Sequence, residues 1–313
     1  MNIVFMGTPD FAVPCLKALI DAGENVAAVF TQPDKPRGRG NKMLPTPVKE
    51  FALTQNIPVY QPLSLKKGED AEESMRVLKE IAPDLIIVVA YGRILPKEIL
   101  DLPKHYCINV HASLLPEYRG AAPIQRSVLD GKKVTGVTTM LMAEGLDTGD
   151  MLMTEKTEIG CDETSAELFD RLSVIGAELL IRTVNAVKDG TVTRTVQDDS
   201  ASTYAAMITK DMCPIDFSKS AQQVHNQIRG LSDSPCATTY YSGKRLKVYK
   251  STLKDGTVYD KEPGTVVNEK DFTVVCGDGK AVTFTEIQAE GGKRMKVSDY
   301  LRGKPIEKGV ILT

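Results

Sequence analysis

The 313-residue sequence predicts an α/β fold: a Rossmann-like, mostly parallel sheet with helices on both faces, followed by a small OB-like β-barrel domain. Three observations lead there. Short apolar runs alternate with helical spacing through the first half, the pattern of repeated β-α-β units. Residues 84–90 (Asp-Leu-Ile-Ile-Val-Val-Ala) are almost wholly apolar, as a strand covered on both faces must be. Near the other end, a single helical pattern is followed by five short strand patterns parted by Gly- and Asp-bearing turns, which is how a small barrel reads.

Each element has its own local reason. Residues 2–6 are an apolar run stopped by Gly7. From Pro9 to Ala22, Phe11, Cys15, Leu19 and Ile20 recur at helical spacing, and Gly23 closes the helix. Residues 25–31 read as a strand, 48–55 as a short helix, 57–60 as a short strand and 71–81 as a helix. The buried strand over 84–90 follows, then a strand over 107–111 that ends at a turn. Residues 121–130 are helical in pattern. Residues 136–142 and 151–159 read as an antiparallel hairpin added to the sheet, with a Gly- and Asp-rich tip at 143–150. The longest helical pattern spans 164–189; Thr164 with Glu167 forms a capping-box signature and Gly190 stops it. Residues 191–207 are polar and weakly periodic, so they read as a linker between a domain at 1–190 and another at 208–313. In the second, a helix over 220–230 precedes strands at 238–241, 244–251, 264–267, 272–276 and 281–289.

Composition narrows the functional classes. The chain is 42% hydrophobic and 26% charged with a net charge of -2, ordinary for a soluble protein. It has no run of 18 apolar residues, and its start lacks a basic region and a cleavage site, so a cytoplasmic protein without membrane contact is expected. The six cysteines are scattered, with no C-x-x-C pair, no nearby His cluster and no H-E-x-x-H. Reduced thiols and no metal site are expected. Gly7-Thr8-Pro9 is not G-x-G-x-x-G, and Gly38-Arg39-Gly40-Asn41-Lys42 lacks the Walker A spacing, which disfavours dinucleotide and P-loop binding. Charge is uneven. Residues 205–313 carry +4 and the remainder -6; this hints at a polyanionic partner for the C-terminal part, though a solvated surface explains so small an excess equally.

Chemistry concentrates at the end of the strand over 107–111. Asn109 and His111 are two residues apart, so they project from one face. One is a neutral hydrogen-bond donor; the other can carry a proton near neutral pH. That pair suits a reaction in which negative charge grows on a carbonyl oxygen, against the plain alternative of a satisfied polar pair. Asp147, in the hairpin tip, is the candidate to orient His111, although Asp-Thr-Gly is also turn chemistry that needs no further role. Without a G-x-S-x-G elbow, and with no activating arrangement for Cys107 or Ser113, direct transfer to an external nucleophile is simpler than a covalent intermediate. The segment 31–47 puts Lys35, Arg37, Arg39 and Lys42 on a loop with four prolines. It is long and basic for a simple connection, and reads either as a phosphate-contacting arm or as a solvated loop.

These residues carry a resemblance. Asn109-Val110-His111-Ala112-Ser113-Leu114-Leu115-Pro116 with Tyr118-Arg119-Gly120 and Pro123, then Gly136-Val137-Thr138 and Gly145-Leu146-Asp147-Thr148-Gly149, are similar to the motifs of the folate-dependent formyltransferases, in order. The N-terminal Phe5-Met6-Gly7-Thr8-Pro9-Asp10-Phe11-Ala12, the arm, Ile215-Asp216-Phe217-Ser218 and Tyr300-Leu301-Arg302-Gly303 look like the branch whose acceptor is initiator methionyl-tRNA. The resemblance implies 10-formyltetrahydrofolate as formyl donor, with no metal, and catalytic roles for Asn109, His111 and Asp147. It implies folate contacts at Ser113, Leu114, Leu115 and Pro116. It also implies an arm that probes the acceptor stem through Lys35, Arg37, Arg39 and Lys42, and an OB-like domain that holds tRNA. A monomer without DNA contact is the expectation, since one chain would carry both active site and tRNA platform. One run departs from the family: residues 228–236 lack the usual aromatic, and the chain has no Trp. A formyltransferase for a small amine, such as glycinamide ribonucleotide or an amino sugar, is the nearest alternative. A non-catalytic RNA-binding protein on an enzyme scaffold is the rival from another class.

Overall fold

A computed structural model describes residues 1–37, 42–254 and 256–313. Its contacts divide the chain into two units: residues 1–120, 136–157 and 169–204 form one, and 121–135, 158–168 and 205–313 the other.

The first half runs β1 (Asn2–Gly7), α1 (Val13–Asp21), β2 (Asn25–Phe30), β3 (Lys35–Arg37), β4 (Lys42–Leu44), α2 (Pro47–Thr54), β5 (Val59–Tyr60), α3 (Glu69–Ile81), β6 (Leu85–Val89), α4 (Lys97–Leu100) and β7 (Tyr106–His111). It continues with β8 (Arg119–Gly120), α5 (Pro123–Leu129), β9 (Val134–Leu141), β10 (Met151–Glu158) and α6 (Ser165–Lys188). Among the described residues, seven strands form one sheet in the order β10-β9-β7-β6-β1-β2-β5. β1, β2, β5, β6 and β7 pair in parallel, β9 joins β7 antiparallel, and β10 lies beside β9 at the sheet edge, where the expected hairpin falls. Val4, Met6, Ala28, Phe30, Ile86 and Val88 face one core with Val77 and Leu78 of α3. The alternate residues Ile3, Phe5, Val29, Leu85 and Ile87 are fully buried as well. Both faces are therefore covered, which is why the strands read as continuous apolar runs.

β11 (Tyr204–Ala205) falls at the boundary between the units, and the second continues with α7 (Ala221–Gly230), β12 (Ala237–Tyr241), β13 (Lys244–Lys254), β14 (Val266–Asn268), β15 (Thr273–Val275), β16 (Ala281–Ala289), β17 (Met295–Lys296) and α8 (Val297–Gly303). α7 starts at a complete capping box, Ser220 with Gln223. The antiparallel sheet runs β12-β13-β16-β15-β14, with β17 on β16. Residues 309–313 bridge its two edges. Val266 N donates to Val310 O and Leu312 N to Gly264 O beside β14, while Tyr240 N donates to Thr313 O on β12. That bridge turns an open sheet into a barrel, and no local pattern announced it. Where the family's aromatic is missing, Leu231 is fully buried and Ser232 O accepts from Ser165 Oγ at 2.6 Å. No helix among the described residues is long and apolar enough to cross a membrane.

Candidate active site

β7 is hydrogen-bonded on both sides. Asn109 pairs with Val88 on β6 and with Met140 on β9, and His111 pairs with Thr138. The strand end is thus fixed in place, and its side chains meet the loops beyond the carboxyl ends of the parallel strands, where ligands of such sheets bind.

The His111 ring is buried. Its Nε2 lies 2.9 Å from the Tyr118 carbonyl oxygen. A carbonyl only accepts, so Nε2 carries a hydrogen and donates it, which fixes the tautomer. The opposite nitrogen, Nδ1, faces Asp147 Oδ2 at 3.6 Å. Asp147 Oδ1 lies 3.4 Å from the Asn109 amide nitrogen, and Oδ2 accepts from Gly120 N at 2.9 Å. The structure therefore brings Asn109, His111 and Asp147 together. The contacts at 3.4 and 3.6 Å exceed ordinary hydrogen-bond length. Asp147 sits at φ +51°, a left-handed conformation that Asp tolerates better than most residues. It makes the turn and also aims its carboxylate at the pair.

The 113–116 turn is built by β9. Thr138 Oγ1 donates to Ser113 O at 2.7 Å and accepts from Leu115 N at 3.2 Å. Gly136 has no room for a Cβ, which would lie 2.0 Å from Glu155 O and 2.6 Å from Leu114 Cδ2. The Gly-Val-Thr run is thus the support on which Ser113, Leu114, Leu115 and Pro116 rest. Neither nearby nucleophile is activated. Ser113 Oγ donates to Glu117 O at 2.6 Å, and burial pushes the Cys107 thiol up, away from thiolate.

The basic segment is a two-stranded ribbon rather than an irregular loop, with Lys35 opposite Leu44 and Arg37 opposite Lys42. Arg39 lies outside the described residues. Thr31 and Thr46 hydroxyls meet at 2.7 Å in the ribbon's buried stem. Asp34 accepts from Lys49 Nζ and Gln61 Nε2, both at 2.7 Å. Those hydrogen bonds hold the Asp34 carboxyl below its ordinary range. Lys35 Nζ donates to Gln32 Oε1 at 2.9 Å, and Gln32 Nε2 donates to Tyr91 O at 3.0 Å, so the stem is tied to the loop after β6.

Sequence reading missed several residues here. Tyr118 and Gly120 act through their backbone, which leaves no signature in side-chain type. Gln197 binds the Asp147 loop from a segment read as a linker. Arg93, just past β6, has its Nε buried with no hydrogen-bond partner among the described residues, as has the Tyr91 hydroxyl.

The family model described as formyl transferase matches residues 1–184, and that for the formyl transferase C-terminal domain matches residues 207–305. The methionyl-tRNA formyltransferase of Clostridium novyi (strain NT) is 53% identical over 309 residues, covering 98% of each chain. That of Alkaliphilus oremlandii (strain OhILAs) is 51% identical over 313 residues, covering 100% of this chain and 99% of its own. Among solved structures, the N-formyltransferase from Helicobacter canadensis in complex with folinic acid and dTDP-3-aminofucose superposes with a TM-score of 0.68 at 21% identity, covering 91% of this chain and 98% of that one.

Proposed function

The chain belongs to the formyl transferase family, and on that premise we propose that it transfers the formyl group of 10-formyltetrahydrofolate to the α-amino group of initiator methionyl-tRNA. The observation that carries the chemistry is the convergence of Asn109, His111 and Asp147 at the end of a strand paired on both sides. The acceptor is supported by relatives about half identical over their full length that bear the name of that activity. The donor is supported by a structural neighbour whose crystal structure holds folinic acid.

In this reading the neutral amine attacks the formyl carbon, and a C–N bond forms as the donor nitrogen leaves. The Asn109 amide donates to the developing oxyanion, and His111 stabilises that charge with it. His111, tied through Nε2 to Tyr118, turns its Nδ1 edge toward Asp147 and the reacting centre. There it relays the proton that the amine gives up and the tetrahydrofolate nitrogen takes. Asp147 orients the ring and supports positive charge on it. The reacting side chains lie within residues 1–190, residues 208–313 hold tRNA, and 191–207 link the two while Gln197 of that segment bonds to the Asp147 loop, in a monomer that works in the cytoplasm without metal, DNA or membrane. Lys35, Arg37, Arg39 and Lys42 supply phosphate contacts.

The test is Asn109→Ala, assayed with saturating donor and charged initiator tRNA. A lost oxyanion donor lowers kcat by roughly 100- to 1000-fold. Near-normal turnover would remove Asn109 from the mechanism.

A further inference from the structure

We propose that Gln197, backed by Arg119, is a positioning residue that sets the Asp147 carboxylate for the transfer; the inference rests on the role given to Asp147 above. Gln197 is buried, 7% exposed. Its amide is fully used. Nε2 donates to the carbonyls of Asp147 at 2.8 Å and Gly149 at 2.7 Å. Oε1 accepts from Arg119 Nε at 3.0 Å and Nη2 at 2.8 Å. Carbonyls only accept and a guanidinium only donates, so these partners admit one orientation of the amide.

Arg119 is itself anchored. Its backbone N donates to Thr203 O at 2.9 Å, and Nη2 also reaches Asp199 Oδ1 at 2.7 Å. The next residue, Gly120, donates to Asp147 Oδ2 at 2.9 Å. One two-residue strand therefore grips Asp147 twice, on its side chain through Gly120 and on its backbone through Gln197. The grip has something to work against. Asp147 is held at φ +51° in a loop whose neighbours Gly145, Leu146 and Thr148 are exposed. Its contacts to Asn109 and His111, at 3.4 and 3.6 Å, stand at the limit where a small shift makes or breaks them. A misplacement of about 1 Å costs on the order of 100-fold in rate.

The test is a double-mutant cycle with Asp147→Asn, read as kcat and KM for donor and charged tRNA. Gln197→Met keeps the side chain's length and removes both donated bonds. It is expected to lower kcat by about 10- to 100-fold and to leave both KM values within about threefold. In the Asp147→Asn background the same change is expected to cost nothing further, because Gln197 acts only through Asp147. Gln197→Glu, which keeps the Arg119 pair but turns an acceptor toward two carbonyls, is expected to match Gln197→Met. An equal fractional loss in both backgrounds, or full kcat in Gln197→Glu, would overturn the proposal. If Gln197→Met melts below assay temperature, Arg119→Met carries the same cycle with the same two outcomes. Wild-type kcat in Asp147→Asn alone is a different result: it refutes the role of Asp147 itself and takes the positioning role down with it.

Discussion

His111 and His225 are both buried imidazoles whose Nε2 donates to a carbonyl, and they differ in what faces the other nitrogen. For His111 it is a carboxylate, Asp147; for His225 it is the Ser251 hydroxyl at 2.9 Å. The neutral ring of His225 is thus satisfied on both sides. Its Nε2 also lies 3.4 Å from Asp162, and Arg229, one turn on, donates to the Gly160 and Glu163 carbonyls. Burial lowers the His225 value below its ordinary one near 6.5, against the opposing pull of the Cys161 hydrogen bond, with Arg229 adding to the lowering. Between those two values the unfolded chain binds a proton that the folded chain does not. The contribution of neutral His225 is therefore complete above about pH 6.5 and is lost as pH falls through 6.5 toward the folded value. Thermal unfolding at pH 7.5 and 5.5 checks it: wild type is expected to lose more stability across that interval than His225→Asn. An equal loss in both would assign the pH dependence to other groups. In the sequence, only His111 had an amide on its own strand face, and that single cue separated the two histidines.

At the scale of elements, the strands of the large sheet were legible because burial on both faces leaves a continuous apolar run, as in β6. The hairpin β9–β10 was legible from its Gly- and Asp-rich tip. The arm was legible as a basic excursion but not as a ribbon. What orders it is remote in sequence: Lys49 and Gln61 hold Asp34, and Thr46 meets Thr31. Local patterning carries no trace of such pins. α4, β17 and α8 were missed because they are short, four, two and seven residues long, and too brief to show a period. If the arm lies on acceptor phosphates, replacing Arg37, Arg39 and Lys42 by Gln weakens tRNA binding. It also flattens the dependence of log K on log salt by up to about 2–3, one unit or slightly less for each phosphate no longer neutralised. An unchanged slope for the triple variant would take the arm off the binding surface.

At the scale of the whole molecule, order along the chain and grouping in space part company. α5 and residues 158–168 cluster with the β-rich unit although they lie within the first 190 residues. Packing explains it. A Cβ on Gly230 would meet Leu129 Cγ at 2.7 Å, so α7 and α5 touch closely, while Arg229 and His225 staple residues 160–163 to α7. Residues 191–204 cluster with the first unit, where Gln197 and Thr203 bond to the site. Helical spacing in α5 identified the helix but not the surface it covers, since periodicity fixes a face and not its partner. Both halves of the chain match formyl transferase models. The most direct test offers 10-formyltetrahydrofolate as donor with charged initiator tRNA, an amino-sugar nucleotide and glycinamide ribonucleotide in parallel reactions. Formyl transfer to the methionyl α-amine and to neither small amine is the predicted result; transfer to a small amine with the tRNA left unformylated would contradict the account.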